Sequence, residues 1–366
     1  MKSIKPSHEA HDLDVVSPYE NIPESRFWKT GVVNENPYSI KDIYKKKFSI
    51  LPNHKIATAG SCFAQHINRY LNKSGYNVLD LEPPPPGLPG NDYKRFGYKQ
   101  YSARYGNIYT VRQLLQLAEE ASGEWKPSNF IWEKNCRFYD ALRPSINLEG
   151  FDSPEEVIKH REYHVAQVKK LFESMDVFIF TLGLTEMWED IESGTIYPTA
   201  PGTVAGSFNP KKVRFINSDF TSINKDFNEF VQVVKKLRKD RLFKLILTVS
   251  PVPLTATATS SHVLCATNYS KSTLRAIAGF WYRKHFVDYF PSFEIITNLR
   301  LHSTAYESNL RSVRSESVDN VMKHFFLEHP KLNVGSSKST QEISSTNMTT
   351  ASDLVCEDAL LEAFKS

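Results

Sequence analysis

Alternation between apolar runs of strand length and segments of helical periodicity is the feature that most constrains the fold of this chain. Continuous apolar runs occur at 177–182 and 245–249, and such runs are typical of strands buried on both faces of a sheet. Between them, apolar residues recur at helical spacing, as at Phe227, Phe230 and Val234. This order predicts an α/β fold with a doubly wound, mostly parallel sheet. Ligands are then expected at the carboxyl ends of the strands.

Other elements are predicted on the same basis. A hydroxyl cap, a proline and two glutamates at 153–156 predict the start of a long helix that ends near residue 174. The remaining predicted elements are strands at 55–59, 76–81 and 293–297 and helices at 63–71, 111–118, 270–286 and 318–326.

Composition divides the chain into three segments. Residues 1–50 are polar and interrupted by prolines, which predicts an irregular N-terminal segment. Residues 51–330 carry the strand and helix patterns and form the predicted α/β domain. From 331 to 366 the chain is rich in Ser and Thr, so we expect a disordered tail, with a short helix at 354–364 as the alternative.

Charge and hydropathy exclude several classes of partner. The net charge of +4 arises from 45 basic and 41 acidic residues mixed along the chain, and this mixture does not favour nucleic-acid binding. The sequence has no run of about 18 apolar residues, so it does not predict a membrane span. The first residues also lack the apolar core of a secretory signal. We therefore expect a cytoplasmic protein. The sequence does not predict an oligomeric state.

The cysteines do not predict a disulfide framework or a metal site. Cys62, Cys136, Cys265 and Cys356 lie far apart and form neither a CxxC motif nor a cluster with histidines. We expect reduced thiols and no metal or organic cofactor.

The turn that follows the first predicted strand carries candidate nucleophiles. Gly60-Ser61-Cys62 predicts a sharp turn between a strand and a helix, with a hydroxyl and a thiol at its apex. Such a turn presents a nucleophile at the end of a sheet, beside backbone N–H groups that can stabilise an oxyanion. Ser61 is the predicted nucleophile, unless it is only the small residue that a tight turn requires. Cys62 is the alternative, because helix N-termini stabilise thiolates.

Several segments together resemble the GSCFA-domain family, a relative of the SGNH/GDSL hydrolases. They include Gly60-Ser61-Cys62-Phe63-Ala64, and the full set is 58–64, 101–110, 181–186, 248–255, 262–264 and 269–272. The resemblance implies a flavodoxin-like three-layer α/β/α sandwich and chemistry on an ester.

The resemblance also implies roles for single residues. Ser61 resembles the nucleophile of the superfamily and Gly106 its second-block glycine, so the N–H groups of both are expected to bind an oxyanion. Thr185 stands where the superfamily has asparagine, which shortens the third oxyanion donor. The predicted oxyanion and substrate-binding residues are Gly106, Asn107, Gly183, Thr185, Tyr105 and Ser250.

The general base is the largest departure from the superfamily. Its Asp-x-x-His is absent, and this chain has Asn309-Leu310-Arg311-Ser312 in that region. His262 is the predicted base, with Glu186 to orient its ring. Alternatively, His262 is only a solvated loop histidine, and Glu186 is a carboxylate that stabilises a helix start. Lys271, at a predicted helix start, is interpreted as a cap or an anion contact.

The predicted function is that of an SGNH-like ester hydrolase or O-acyltransferase with a serine acyl-enzyme, and an acylated saccharide is one candidate substrate. A catalytically inactive ligand-binding module is the alternative, because the usual base is missing. A scaffold that recruits partners through its Ser/Thr-rich tail ranks last.

Overall fold

Strands and helices alternate along most of the chain in the structure, a computed structural model that describes residues 17–90, 92–301, 303–332 and 361. The strands are β1 (Ile56–Gly60), β2 (Ile131–Lys134), β3 (Arg137–Asp140), β4 (Val177–Leu182), β5 (Glu186–Asp190), β6 (Ile196–Tyr197), β7 (Val213–Asn217), β8 (Lys244–Val249) and β9 (Val287–Tyr289). The helices are α1 (Phe63–Lys73), α2 (Asp92–Arg95), α3 (Val111–Ser122), α4 (Pro154–Ser174), α5 (Phe220–Leu237), α6 (Val263–Tyr282), α7 (Ser292–Ile296) and α8 (Ser315–Glu328).

A parallel sheet in the order β1-β4-β8-β9 forms the centre of the fold. In its register Gly60 lies opposite Thr181, and Thr181 lies opposite Thr248. The carboxyl ends of β1, β4 and β8 therefore meet at one edge. The predicted parallel sheet is confirmed, and this edge is where ligands are expected.

Helices cover both faces of this sheet. Alternate residues such as Phe178, Phe180 and Leu247 pack into a core with side chains of α3, α4, α5 and α6. The intervening residues, among them Ile179 and Ile246, are equally buried on the other face, where α1 and α7 contact the strands. Burial on both faces explains the continuous apolar runs and is consistent with a three-layer α/β/α arrangement.

One predicted strand is wrong, and a second is reduced to a single parallel bridge. The segment 293–297 lies mostly in the short helix α7, and the edge strand is β9, just before it. An apolar run of this length fits a helix and a strand equally well, and Asp288 interrupts the run that does form the strand. At 76–81 only Val78 makes a bridge, to Ile56.

Two smaller antiparallel sheets were not predicted. β5 directly follows the end of β4 and pairs with β6 and β7 in the order β6-β5-β7, and β2 pairs with β3 as a hairpin. The three-stranded sheet therefore begins only a few residues beyond the carboxyl edge of the central sheet.

The chain divides into two compact units, Met1–Ile43 and Tyr44–Ser366. In the first, the described residues form a 3₁₀ turn at Glu24–Arg26 and a π-helical turn at Lys29–Val33. The predicted boundaries at 50 and 330 stay predictions. Most of the predicted tail, including the helix considered at 354–364 apart from Leu361, lies outside the described residues. Across the part of the chain that is described, no helix is long and apolar enough to cross a membrane.

Candidate active site at the carboxyl edge of the sheet

Ser61 lies in the turn between β1 and α1 and is almost completely buried, with 3% of its surface exposed. Its carbonyl oxygen accepts a hydrogen bond from the Ala64 N–H at 2.8 Å, which starts the helix. The preceding Gly60 has φ +136°, and a Cβ there would lie 2.4 Å from the Thr181 carbonyl oxygen. Only glycine fits this position, so the sharp turn at Ser61 depends on it.

The Ser61 hydroxyl has no hydrogen-bond partner within the described residues. The Thr181 hydroxyl, on the neighbouring strand at the same edge, also lacks one. The Ser61 N–H, in contrast, donates to the Thr181 carbonyl at 3.2 Å. The hydroxyl is thus available for chemistry, whereas the N–H must leave the Thr181 carbonyl before it can bind an oxyanion.

Gly183, one of the predicted site residues, lies next to the Ser61 side chain. A Cβ at Gly183 would lie 3.0 Å from the Ser61 Cβ and 2.9 Å from the Tyr109 carbonyl oxygen. The same carbonyl accepts the N–H groups of Gly183 and Leu184 at 3.2 and 2.9 Å. The absence of a side chain at Gly183 therefore allows the turn after β4 to pack directly on Ser61.

The segment that contains Tyr105, Gly106 and Asn107 is attached to the end of β1. The Tyr105 hydroxyl donates to the Thr58 carbonyl, and the nearby Ile108 N–H donates to the Gly60 carbonyl at 2.9 Å. The Asn107 carboxamide oxygen accepts from the Gln65 amide at 3.3 Å. Gly106, with φ +67°, makes the bend between them. The structure thus brings this segment to the Ser61 turn.

Both the N–H and the hydroxyl of Thr185 donate hydrogen bonds to other side chains of the protein. Its N–H donates to the Ser270 hydroxyl at 3.1 Å, and its own hydroxyl donates to the Asn217 carboxamide oxygen at 2.6 Å. It can reach an oxyanion only by leaving Asn217. Ser250, at the end of β8, donates its N–H to the Leu182 carbonyl at 2.8 Å and accepts from the Val252 N–H.

Glu186 is half-buried at the start of β5. One carboxylate oxygen accepts from the Thr257 hydroxyl at 2.6 Å, and the other accepts from the Ala258 N–H at 3.3 Å. Burial raises the pKa of this carboxyl, and the hydrogen bonds from Thr257 and Ala258 oppose the rise. Glu186 therefore holds the loop that follows β8.

His262 is exposed and caps α6, where its Nδ1 accepts the Leu264 N–H at 3.1 Å. No hydrogen bond joins it to Ser61 in the described structure. Its role as a base stays a prediction. Asn309 and Ser312 form a closed polar turn, with the Asn309 side chain bonded to the Ser312 hydroxyl at 3.0 Å and to the Ser312 N–H at 2.9 Å.

Lys271 is a site residue whose place the sequence interpretation missed. The helix α6 begins at Val263, so Lys271 lies well inside the helix and cannot cap its start. It is 3% exposed, and its Nζ donates to the Gly183 carbonyl at 2.8 Å. Its spacing from the apolar Leu274 and Ala278 could have placed it on the buried face of the helix.

A cavity of about 150 Å³ lies at the carboxyl ends of β4 and β8. Leu184, Trp188 and Leu254 give it apolar walls, Glu186 adds a polar one, and Leu361 also lines it. Leu184 follows Gly183 directly in the chain, but Ser61 and Gly183 are not among the residues that line the cavity. Among the residues that the structure describes, no group of His, Cys, Asp or Glu side chains could hold a metal ion.

Comparisons with known proteins give one match. No curated protein and no solved structure matches the chain. The model of the GSCFA family matches residues 55–325, a range that includes Ser61, Gly183, Glu186 and Lys271. Since the match extends over well more than half of the sequence, the chain belongs to the GSCFA family.

Proposed function

We propose that this protein is an SGNH-type ester hydrolase or O-acyltransferase that works through an acyl-enzyme on Ser61. The observation that carries the proposal is the Ser61 hydroxyl, which is held at the carboxyl edge of a parallel sheet without a hydrogen-bond partner in the described structure. A buried hydroxyl normally finds a partner, and one left without it at a ligand-binding edge is a candidate for a reacting group.

In the proposed reaction, the Ser61 oxygen attacks the ester carbonyl and its proton passes to a base. The alcohol then leaves with a proton, and water or a second alcohol cleaves the acyl-enzyme. The Gly106 N–H and, once released from Thr181, the Ser61 N–H would bind the oxyanion. The proposed base is His262, whose ring must exchange its bond to the Leu264 N–H for one to the Ser61 hydroxyl.

The proposed size of the substrate follows from the cavity at the carboxyl ends of β4 and β8. Its apolar walls suit a short acyl chain, and Glu186 and Thr257 offer polar contacts to an alcohol such as a saccharide. Hydrolysis and acyl transfer share the acyl-enzyme and differ only in the acceptor, so an acceptor screen separates them.

A ligand-binding module without turnover is the second candidate. Asn309 and Ser312 favour it, because they form a self-contained turn in the region where the superfamily carries its acid and base. Such a module would bind its ligand equally well after Ser61→Ala.

Intact-mass labelling with a fluorophosphonate tests the two candidates. We expect one adduct on the wild-type protein, no adduct on Ser61→Ala or His262→Ala, and an unchanged adduct on Cys62→Ala. An adduct that persists on Ser61→Ala and disappears on Cys62→Ala would identify Cys62 as the nucleophile. A folded wild-type protein without any adduct would contradict the serine mechanism and favour the binding module.

A further inference from the structure

Two successive residues of α6 hold the turn that packs on Ser61. The Lys271 ammonium donates to the Gly183 carbonyl at 2.8 Å, and the Ser270 hydroxyl accepts the Thr185 N–H at 3.1 Å. Both side chains are buried, at 3% and 0% exposed. The first and last residues of the turn are therefore attached to the same helix.

Tyr109, in the segment before α3, also holds this turn. Its carbonyl accepts the N–H groups of Gly183 and Leu184, and the Thr185 carbonyl accepts the Ser218 N–H at 2.9 Å. Hydrogen bonds therefore tie all three residues of the turn, Gly183, Leu184 and Thr185, to other parts of the fold. The contact between Gly183 and Ser61 is thus set from α6 as well as from the chain before α3.

Holding a buried carbonyl with a lysine costs desolvation free energy. A buried ammonium group loses its hydration, and an apolar side chain of similar length would fill the same space in α6 without that cost. A neutral hydroxyl, like that of Ser270, already holds the other end of the turn. Unlike that hydroxyl, a protonated lysine also places a positive charge at the edge of the sheet where the proposed reaction develops negative charge.

We propose that Lys271 is a positioning residue for Ser61: its ammonium group holds Gly183 against the Ser61 side chain and brings a positive charge to this edge of the site. The inference rests on the proposed acyl-enzyme function. Lys271 acts through the Gly183 backbone and is not a ligand of the substrate in this account.

The test compares labelling rates of full-length variants. Lys271→Met removes the charge and the donor, Lys271→Arg keeps both, and Ser272→Ala changes an exposed neighbour on the same helix. The fluorophosphonate labelling rate of Ser61 is measured from neutral to alkaline pH, with thermal unfolding of each variant. We expect Lys271→Met to label about 10- to 100-fold more slowly and to need a higher pH. Lys271→Arg should recover most of the rate, and Ser272→Ala should match the wild type.

A structural role alone would lower the unfolding temperature of Lys271→Met without changing the rate of its folded molecules. Wild-type rate and pH dependence in that variant would therefore overturn the inference while the proposed function stands. If Lys271→Met does not fold, Lys271→Gln takes its place, since a carboxamide can still donate to Gly183 but carries no charge. A wild-type protein that is not labelled at all would remove the proposed function and this inference with it.

Discussion

His164 Nδ1 and the Glu82 carboxylate lie 2.6 Å apart in the interior of the domain. Arg143 continues the cluster, with its Nε 2.6 Å from the Asp140 carboxylate, and Arg161 contacts the same carboxylate from α4 at 3.3 Å. All five side chains are buried. Because they come from a loop, the β2–β3 hairpin with its following turn, and α4, this cluster of charged groups and a histidine connects the hairpin to the helix.

Acid should destabilise this protein through buried histidines. Burial, with a smaller effect from a nearby cation, lowers the pKa of His66, His164 and His329 to about 4. In the unfolded chain these rings take up protons near pH 6.5, so the unfolded state binds more protons between pH 6.5 and 4. The contribution of these rings to the unfolding free energy is fully present above pH 6.5. It is lost as the pH drops towards 4, by at most about 3 kcal/mol for each ring. Urea unfolding at a series of pH values measures the loss.

Single substitutions assign this pH dependence. The slope of unfolding free energy against pH reports how many more protons the unfolded state binds than the folded state. His66→Gln and His164→Gln should each reduce that number by up to about one. His262→Gln, at an exposed position, is the control. Equal slopes in all three variants would show that the buried rings do not cause the effect.

Asp140 should be among the most sensitive positions for stability. Asp140→Asn leaves the buried cations of Arg143 and Arg161 without their shared carboxylate, and we expect a loss of about 3–5 kcal/mol in unfolding free energy. Asp152→Asn is the matched control, because Asp152 pairs with Arg137 but its side chain is 76% exposed. That change should cost less than about 1 kcal/mol. Similar urea midpoints for the two variants would mean that the cluster contributes little.

The central sheet could be predicted because its signal is local. The apolar runs at β4 and β8 and the capping sequence of α4 each specify their element within a few residues, and the structure has all three. The strand predicted at 293–297 failed because a run of that length has no distinct period, and tertiary packing makes it the helix α7.

The site was predictable only in part for a related reason. The turn at Ser61 follows from a strand, a glycine and a helix that are adjacent in sequence. The contact of Gly183 with Ser61 joins residues far apart in the chain and depends on a missing side chain, which no local pattern encodes. Lys271 was misplaced because the predicted helix began at 270, whereas α6 begins at Val263 and buries Lys271 within it.

Gly183→Ala should disturb Ser61 without changing any charge. The new methyl group would lie 2.9 Å from the Tyr109 carbonyl and 3.0 Å from the Ser61 Cβ, so the turn must shift. We expect a destabilisation of about 1–3 kcal/mol and slower labelling of Ser61. Gly90→Ala is the control, since nothing lies within 4 Å of a Cβ there. Thermal unfolding and labelling rates measure both effects. Wild-type behaviour of Gly183→Ala would show that the turn can shift at little energetic cost.

Thiol reactivity should follow exposure. Cys136 and Cys265 are exposed, whereas Cys62 is 4% exposed beside the start of α1. Short pulses of iodoacetamide, read by peptide mapping, should modify the first two quickly and Cys62 only when denaturant opens the fold. Cys356 lies outside the described residues and is mapped in the same experiment. Fastest modification at Cys62 would support Cys62 as the nucleophile instead of Ser61.

His262 can be tested as a helix cap and as a base in one series. Its Nδ1 accepts the Leu264 N–H, so His262→Ala should lower the unfolding free energy by about 1 kcal/mol. Aspartate is a better cap, so His262→Asp should recover that stability. If His262 is also the base, neither variant should label with fluorophosphonate at the wild-type rate, because a carboxylate capping the helix does not replace the imidazole. Thermal unfolding and labelling of both variants give the answer. A stable His262→Asp protein that labels as fast as the wild type would leave His262 as a cap alone, and the proton from Ser61 would then have to pass to another group.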